Sequence, residues 1–77
     1  MFQPITRQQI LDLKPGSVLQ YRINGILECE PHPIDEVETG ENGNGHAWAV
    51  GCVQFSTCRV SFGILENETQ ENWQLIA

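Results

Sequence analysis

Ser17-Val18-Leu19-Gln20-Tyr21-Arg22-Ile23-Asn24-Gly25-Ile26-Leu27-Glu28-Cys29-Glu30 is the stretch on which the fold class turns. Asn24 and Gly25 both tolerate the positive φ that a two-residue type I′ turn requires, and the flanks carry the aliphatic, β-branched and aromatic residues of strands. The stretch therefore predicts a β-hairpin. Pairing outward from the turn sets Ile23 opposite Ile26, Tyr21 opposite Glu28 and Leu19 opposite Glu30 on one face. On the other face Arg22 meets Leu27, Gln20 meets Cys29 and Val18 meets Pro31. Apolar residues fall on both faces, which suits a strongly coiled sheet or small barrel better than a flat sheet with one wet side.

Upstream, Thr6-Arg7-Gln8-Gln9 fits a capping box, in which the Thr6 hydroxyl accepts from the Gln9 amide and the Gln9 side chain reaches back to the cap. A helix of about two turns should follow, with Ile10, Leu11 and Leu13 as its apolar face and Pro15-Gly16 as its stop. Downstream, residues 32–45 change character. Pro33, Gly40, Gly43 and Gly45 interrupt Asp35, Glu36, Glu38, Glu41, Asn42 and Asn44, and only Ile34 and Val37 are apolar. That composition predicts a long surface loop, of the kind that is either functional or mobile.

His46 to Phe55 reads as the central strand, with Gly51 marking a bulge or bend. Cys58 to Leu65 alternates Cys58, Val60, Phe62 and Ile64 against Arg59, Ser61 and Gly63, the pattern of a half-buried strand, with the break at Ser56-Thr57. Glu66 to Asn72 is turn-like, and Trp73-Gln74-Leu75-Ile76 predicts a closing strand. The sum is one domain, residues 1–77, mainly β: a short N-terminal helix and four or five antiparallel strands in a coiled sheet or SH3-like small barrel. Leu19, Tyr21, Ile23, Val50, Val53, Phe55, Val60, Phe62, Ile64 and Trp73 are its expected core.

A chain of 77 residues, 40% hydrophobic and 18% charged, belongs with globular proteins and has room for one compact core. Four basic residues against ten acidic ones give a net charge of −6, which repels nucleic acid and anionic membrane surfaces, and Arg7, Lys14, Arg22 and Arg59 form no stripe. No segment approaches the roughly 20 apolar residues of a membrane span, and the N-terminus has no signal-peptide pattern, so the cytoplasm is the expected compartment. The odd cysteine count, Cys29, Cys52 and Cys58, fits free thiols in a reducing environment.

Constellations for catalysis are thin. Cys29 with His32 or His46 is the one thiol–imidazole pair, and Glu28 and Glu30 beside the thiol would oppose thiolate formation. A metal site would have to draw on Cys29, His32, His46 and one of Cys52 or Cys58 across the 32–45 loop. A reversal at Ser56-Thr57 would pair Cys52 with Ser61 and leave Cys58 on the opposite face, so the two thiols would not share a metal. Gly40-Glu41-Asn42-Gly43-Asn44-Gly45 matches neither a phosphate-binding loop nor a calcium loop. No enzyme, cofactor or metal centre is expected.

The expectation is a small non-catalytic protein-binding regulator or inhibitor of a larger host, of a size that phages and mobile elements encode. It would dock through its acidic loop or an open sheet edge. Asp35, Glu36, Glu38, Glu41, Glu68 and Glu71 are the candidate contacts, meeting a basic surface on the partner, and a sheet edge could equally make a homodimer. The alternative is a small-molecule or metal-binding module with a shallow pocket made by Tyr21, Cys29, His46 and Trp48.

Overall fold

The Thr6 capping box forms: its hydroxyl accepts from the Gln9 N–H at 3.2 Å, and Gln9 Oε1 accepts from the Thr6 N–H at 2.9 Å. In the computed structural model, which describes residues 1–77, helix α1 (Arg7–Leu11) follows directly. Five residues cannot hold a helix in water unaided. The helix persists because Ile10 and, just beyond it, Leu13 are buried in the sheet's concave face.

The strands are β1 (Val18–Ile23), β2 (Leu27–Glu28), β3 (His32–Glu41), β4 (Ala47–Phe55), β5 (Cys58–Leu65) and β6 (Trp73–Leu75), and every pairing is antiparallel. β1 pairs with β2 at Ile23–Leu27 and with β3 at Leu19–His32, both along one edge, while β6 lies on its other edge. Five strands therefore lie side by side, in the order β6, β1, β3, β4, β5, and curl into a half-barrel. The chain is mainly β, as its hairpin signal implies. No helix is long and apolar enough to cross a membrane.

The Asn24-Gly25 turn forms with φ of 52° and 71°, closed by the Ile26 N–H donating to Ile23 O at 3.0 Å. The register beyond it differs from simple pairing by one residue. Ile26 is surplus, so Leu27 faces Ile23, Glu28 faces Arg22, and the Cys29 N–H donates to Tyr21 O at 2.8 Å. A one-residue slip exchanges the faces of a strand, and here it gathers Leu27 and Cys29 on the face of Ile23 and Tyr21.

The larger correction concerns residues 32–45. They are not a long loop: His32–Glu41 is a ten-residue strand paired with β4 from Ile34–Val53 to Glu41–Ala47. Asp35 bulges out between Ile34 and Glu36. That extra residue breaks the period-two pattern, so Ile34 and Val37, three apart, both face inward with Thr39, while Glu36 and Glu38 face water. Only the tight Asn42–His46 connection remains a loop. There Asn42 Oδ1 accepts from the Asn44 and His46 N–H groups at 2.9 and 3.1 Å.

Gly51 is tied to this bulge from the opposite strand. A Cβ there would overlap the Glu36 carbonyl oxygen and lie 2.8 Å from Val37 Cα, so β3 can come close only to a glycine. Ser56-Thr57 makes the next reversal with Ser56 at φ 56°, and β4 and β5 pair from Phe55–Cys58 to Trp48–Leu65. Cys52 does pair with Ser61.

The core comprises Ile5, Ile10, Leu13, Leu19, Ile34, Ala47, Ala49, Val53, Phe62 and Ile64. Of the residues expected there, Leu19, Val53, Phe62 and Ile64 are buried, and Tyr21 and Trp73 are half-buried. Ile23, Val50, Phe55 and Val60 are exposed, by 40 to 47%. Val50 lies on the convex face, opposite the inward set Ala47, Ala49, Gly51 and Val53. Ile23, Phe55 and Val60 lie on the concave face, at the end that α1 does not cover.

Candidate functional site

The two ends of the half-barrel differ. At one end, Arg7 pairs with Glu41 and with Glu66, at 2.7 Å for Glu66, and donates to Gly45 O at 2.6 Å. Glu66 Oε1 also accepts the Ala47 N–H at 2.8 Å. That backbone hydrogen bond, with Arg7 beside it, holds the Glu66 carboxyl below the ordinary carboxylate range. This end is closed by α1 and by a charge-linked tie between the β3–β4 and β5–β6 connections.

The other end is an open groove of about 430 Å³. Leu19, Tyr21, Val53, Phe55, Val60, Phe62 and Trp73 supply its apolar lining, and Cys29, Glu30, His32, Ser61, Gly63, Thr69 and Asn72 complete it. Trp73 anchors one wall, its ring centroid 4.8 Å from Tyr21 and 5.7 Å from Phe62. His32 packs against Phe55 across the β3–β4 pair, with centroids 4.4 Å apart and ring planes inclined by 49°. Phe55 and Val60 are 46% and 44% exposed although they lie on the face that elsewhere forms the core. Apolar surface of this kind is ready to be covered.

One rim of the groove is the outer edge of β5. The Glu66 N–H donates to Ala47 O at 2.9 Å, which fixes the parity of the β4–β5 ladder, whose register runs from Trp48–Leu65 to Phe55–Cys58. By the alternation of antiparallel ladders, Arg59, Ser61, Gly63 and Leu65 then point their backbone groups away from β4. Leu65 is satisfied locally: its N–H donates to Thr69 Oγ1 at 2.9 Å, and its carbonyl accepts from Glu68 and Thr69 at 3.1 Å. Arg59, Ser61 and Gly63 have no such backbone partners, and the last two line the groove. At the opposite end of the sheet the N-terminal segment covers β6, the Ile5 N–H donating to Trp73 O at 2.7 Å.

The six acidic candidates do not form one face. Arg59 draws Asp35 and Glu36 together, at 2.6 and 2.9 Å, and the two carboxylates, Asp35 foremost, raise its pKa above an already high ordinary value. Glu41 is tied to Arg7. Glu38 stands exposed on β3, while Glu68 and Glu71 lie in the β5–β6 connection, on either side of Thr69 and next to Asn72. The pocket quartet divides in the same way. Tyr21 and Cys29 line the groove, brought to one face by the slipped register. His46 is at the closed end, its Nε2 3.5 Å from Asn67 Nδ2, and the Trp48 indole lies over Gly40 on the convex face.

Three or more His, Cys, Asp or Glu side chains converge nowhere in a way that would hold a metal ion. Cys29 and Cys52 are half-buried and Cys58 is exposed, all three as free thiols. Of the groove's lining the sequence points to Tyr21 and Cys29 alone: Leu19, Val53, Phe55, Val60, Phe62 and Trp73 read as core, and Glu30, His32, Ser61, Gly63, Thr69 and Asn72 are not assigned to a pocket. The one sequence signal for the rest is the apolar residues Phe55 and Val60 on adjacent strands, on a chain with a single short helix to cover its concave face. No protein-family model, curated protein or solved structure matches this chain, so the functional reading rests on the groove and its edge.

Proposed function

We propose that this chain is a non-catalytic protein-binding module, a regulator or inhibitor of a larger protein, that takes an extended segment of its partner along the outer edge of β5. The observation that supports this reading is the coincidence of two features at one place. Ser61 and Gly63 present unpaired backbone donors and acceptors, and directly beside them lies an apolar groove with exposed Phe55 and Val60. Strand addition uses both features, main-chain hydrogen bonds for affinity and pockets for alternate side chains for specificity. The acidic segment enters as a strand whose charges are largely engaged by Arg59 and Arg7. A cytoplasmic setting, where the three thiols stay reduced, goes with this reading.

Native mass spectrometry of the untagged protein from its own lysate, run beside Ser61→Pro, tests it. The Ser61 N–H is directed away from β4, so proline removes an edge donor without breaking the internal ladder. A stoichiometric protein companion that the variant loses is the expected result. A companion retained equally by Ser61→Pro would refute docking at this edge.

The groove volume also favours a second reading, a small-molecule site, since about 430 Å³ lies within the range of ligand pockets. A bound compound would appear as added mass on the monomer and would quench Trp73, which lines the groove, more than Trp48, which does not.

A further inference from the structure

The partner segment can be described further, on the strength of the strand-addition reading: we infer that it is an extended, cationic stretch with apolar residues at alternate positions, its Lys or Arg side chains meeting Glu30, Glu68 and Glu71.

The apolar half of this description follows from register. Successive side chains of an added strand point alternately toward and away from the concave face. Those pointing inward meet Phe55, Val60 and Phe62. The same face continues past Tyr21 onto the β1–β2 hairpin, where Ile23 and Leu27 are opposite each other and are 40% and 64% exposed. A segment longer than β5 would therefore find apolar surface beyond the groove.

The cationic half follows from which charges around the groove are engaged. Arg59 and Arg7 occupy Asp35, Glu36, Glu41 and Glu66, all outside the groove lining. Glu30 lines the groove; Glu68 and Glu71 lie outside its lining, bordering a separate depression with Asn67 and Gln70 on the connection that gives the groove Thr69 and Asn72, and none of the three has an ion-pair partner. No lysine or arginine lines the groove. An acidic segment would meet uncompensated like charge, and so would a second copy of this chain, which carries −6 itself.

A surface-displayed library of random peptides about twelve residues long, enough to span the eight residues of β5, is the probe. It is selected in parallel on the protein, on Ser61→Pro as an edge variant, on Val60→Gln as a groove variant that adds no charge, and on the triple reversal Glu30→Lys, Glu68→Lys, Glu71→Lys. All three reversed residues are exposed. The expected outcome is alternating apolar peptides enriched roughly tenfold in Lys and Arg over Asp and Glu. Ser61→Pro and Val60→Gln should both lose these peptides, and the triple reversal should invert the charge preference. Binding should weaken as salt rises from about 0.05 to about 0.5 M. Peptides that need the β5 edge but show no basic bias, or a bias the triple reversal leaves unchanged, would overturn this inference and leave strand addition standing. Peptides indifferent to Ser61→Pro and Val60→Gln alike, or no enrichment at all, would overturn both. Dimers forming in place of peptide complexes would overturn the cationic partner.

Discussion

Replacing Gly51 with alanine should be among the most damaging single changes in this chain, although it adds one methyl group. The new Cβ would overlap the Glu36 carbonyl oxygen and sit 2.8 Å from Val37 Cα and 2.9 Å from the Glu36 carbonyl carbon. All three obstacles are backbone atoms of β3, so no side-chain rotation relieves them. The β3–β4 ladder must separate or change register around the Asp35 bulge. Overpacking that moves backbone costs about 3 kcal/mol, or somewhat more. A domain of this size has roughly 4–11 kcal/mol of total stability, so the change removes about a quarter of it or more. Urea unfolding followed by Trp fluorescence is the assay. With a slope of about 1–1.5 kcal/mol per molar, the midpoint should fall by about 2–3 M. Gly63→Ala is the control, because its Cβ would meet only Val50 Cγ1, at 3.9 Å, and should change stability by less than about 1 kcal/mol. A Gly51→Ala protein within about 0.5 kcal/mol of the parent would refute the close-approach argument and the bulge register behind it.

The concave face offers a paired test of burial. Phe62→Ala should cost about 3–5 kcal/mol, whereas Phe55→Ser, at a site 46% exposed, should cost about 1 kcal/mol or less; equal losses would show that the groove is closed in solution. Thr6→Ala should cost about 1 kcal/mol by removing the cap of α1, and Thr6→Ser should restore most of it, both read from thermal unfolding. Glu66 gives the stability a pH dependence. Its folded-state pKa lies below the ordinary 4.5, so its stabilisation is fully present above that value and is lost as pH falls through the folded-state pKa. Glu66→Gln should flatten the unfolding curve's dependence on pH in that acid window, and an unchanged acid profile would remove Glu66 as its source.

Much of the local structure is legible in the residues themselves. The Thr6 capping box, the Asn24-Gly25 turn and the closing strand follow from short-range preferences, and all are present. The β4–β5 reversal at Ser56-Thr57, with its Cys52–Ser61 pairing, is also present; it is read from the strand pattern on either side, against serine's preference, since Ser56 takes φ 56°. The errors of register have one origin. A β-bulge adds a residue, and an added residue inverts every side chain beyond it. The bulge at Asp35 hid the strand His32–Glu41 behind an apparently aperiodic acidic run, and the extra Ile26 moved Leu27 and Cys29 to the other face of the hairpin. Gly51 carried a hint, since a glycine inside a strand marks close backbone approach, but the bulge it serves lies on the neighbouring strand.

The candidate site was legible only in pieces. Tyr21 and Cys29 belong to the groove, while His46 and Trp48 were chosen by residue type and lie elsewhere. Phe55 and Val60 read as core because alternation reports which face a residue takes, and says nothing of whether another element covers that face. The amino-acid sequence by itself determined the β class, the turns and the cap, because those depend on φ preferences and hydrogen bonds within a few residues. Tertiary structure alone decided the bulged registers, the uncovered concave face and the unpaired edge of β5. These depend on which strands are neighbours and where the sheet ends, and no local preference encodes either.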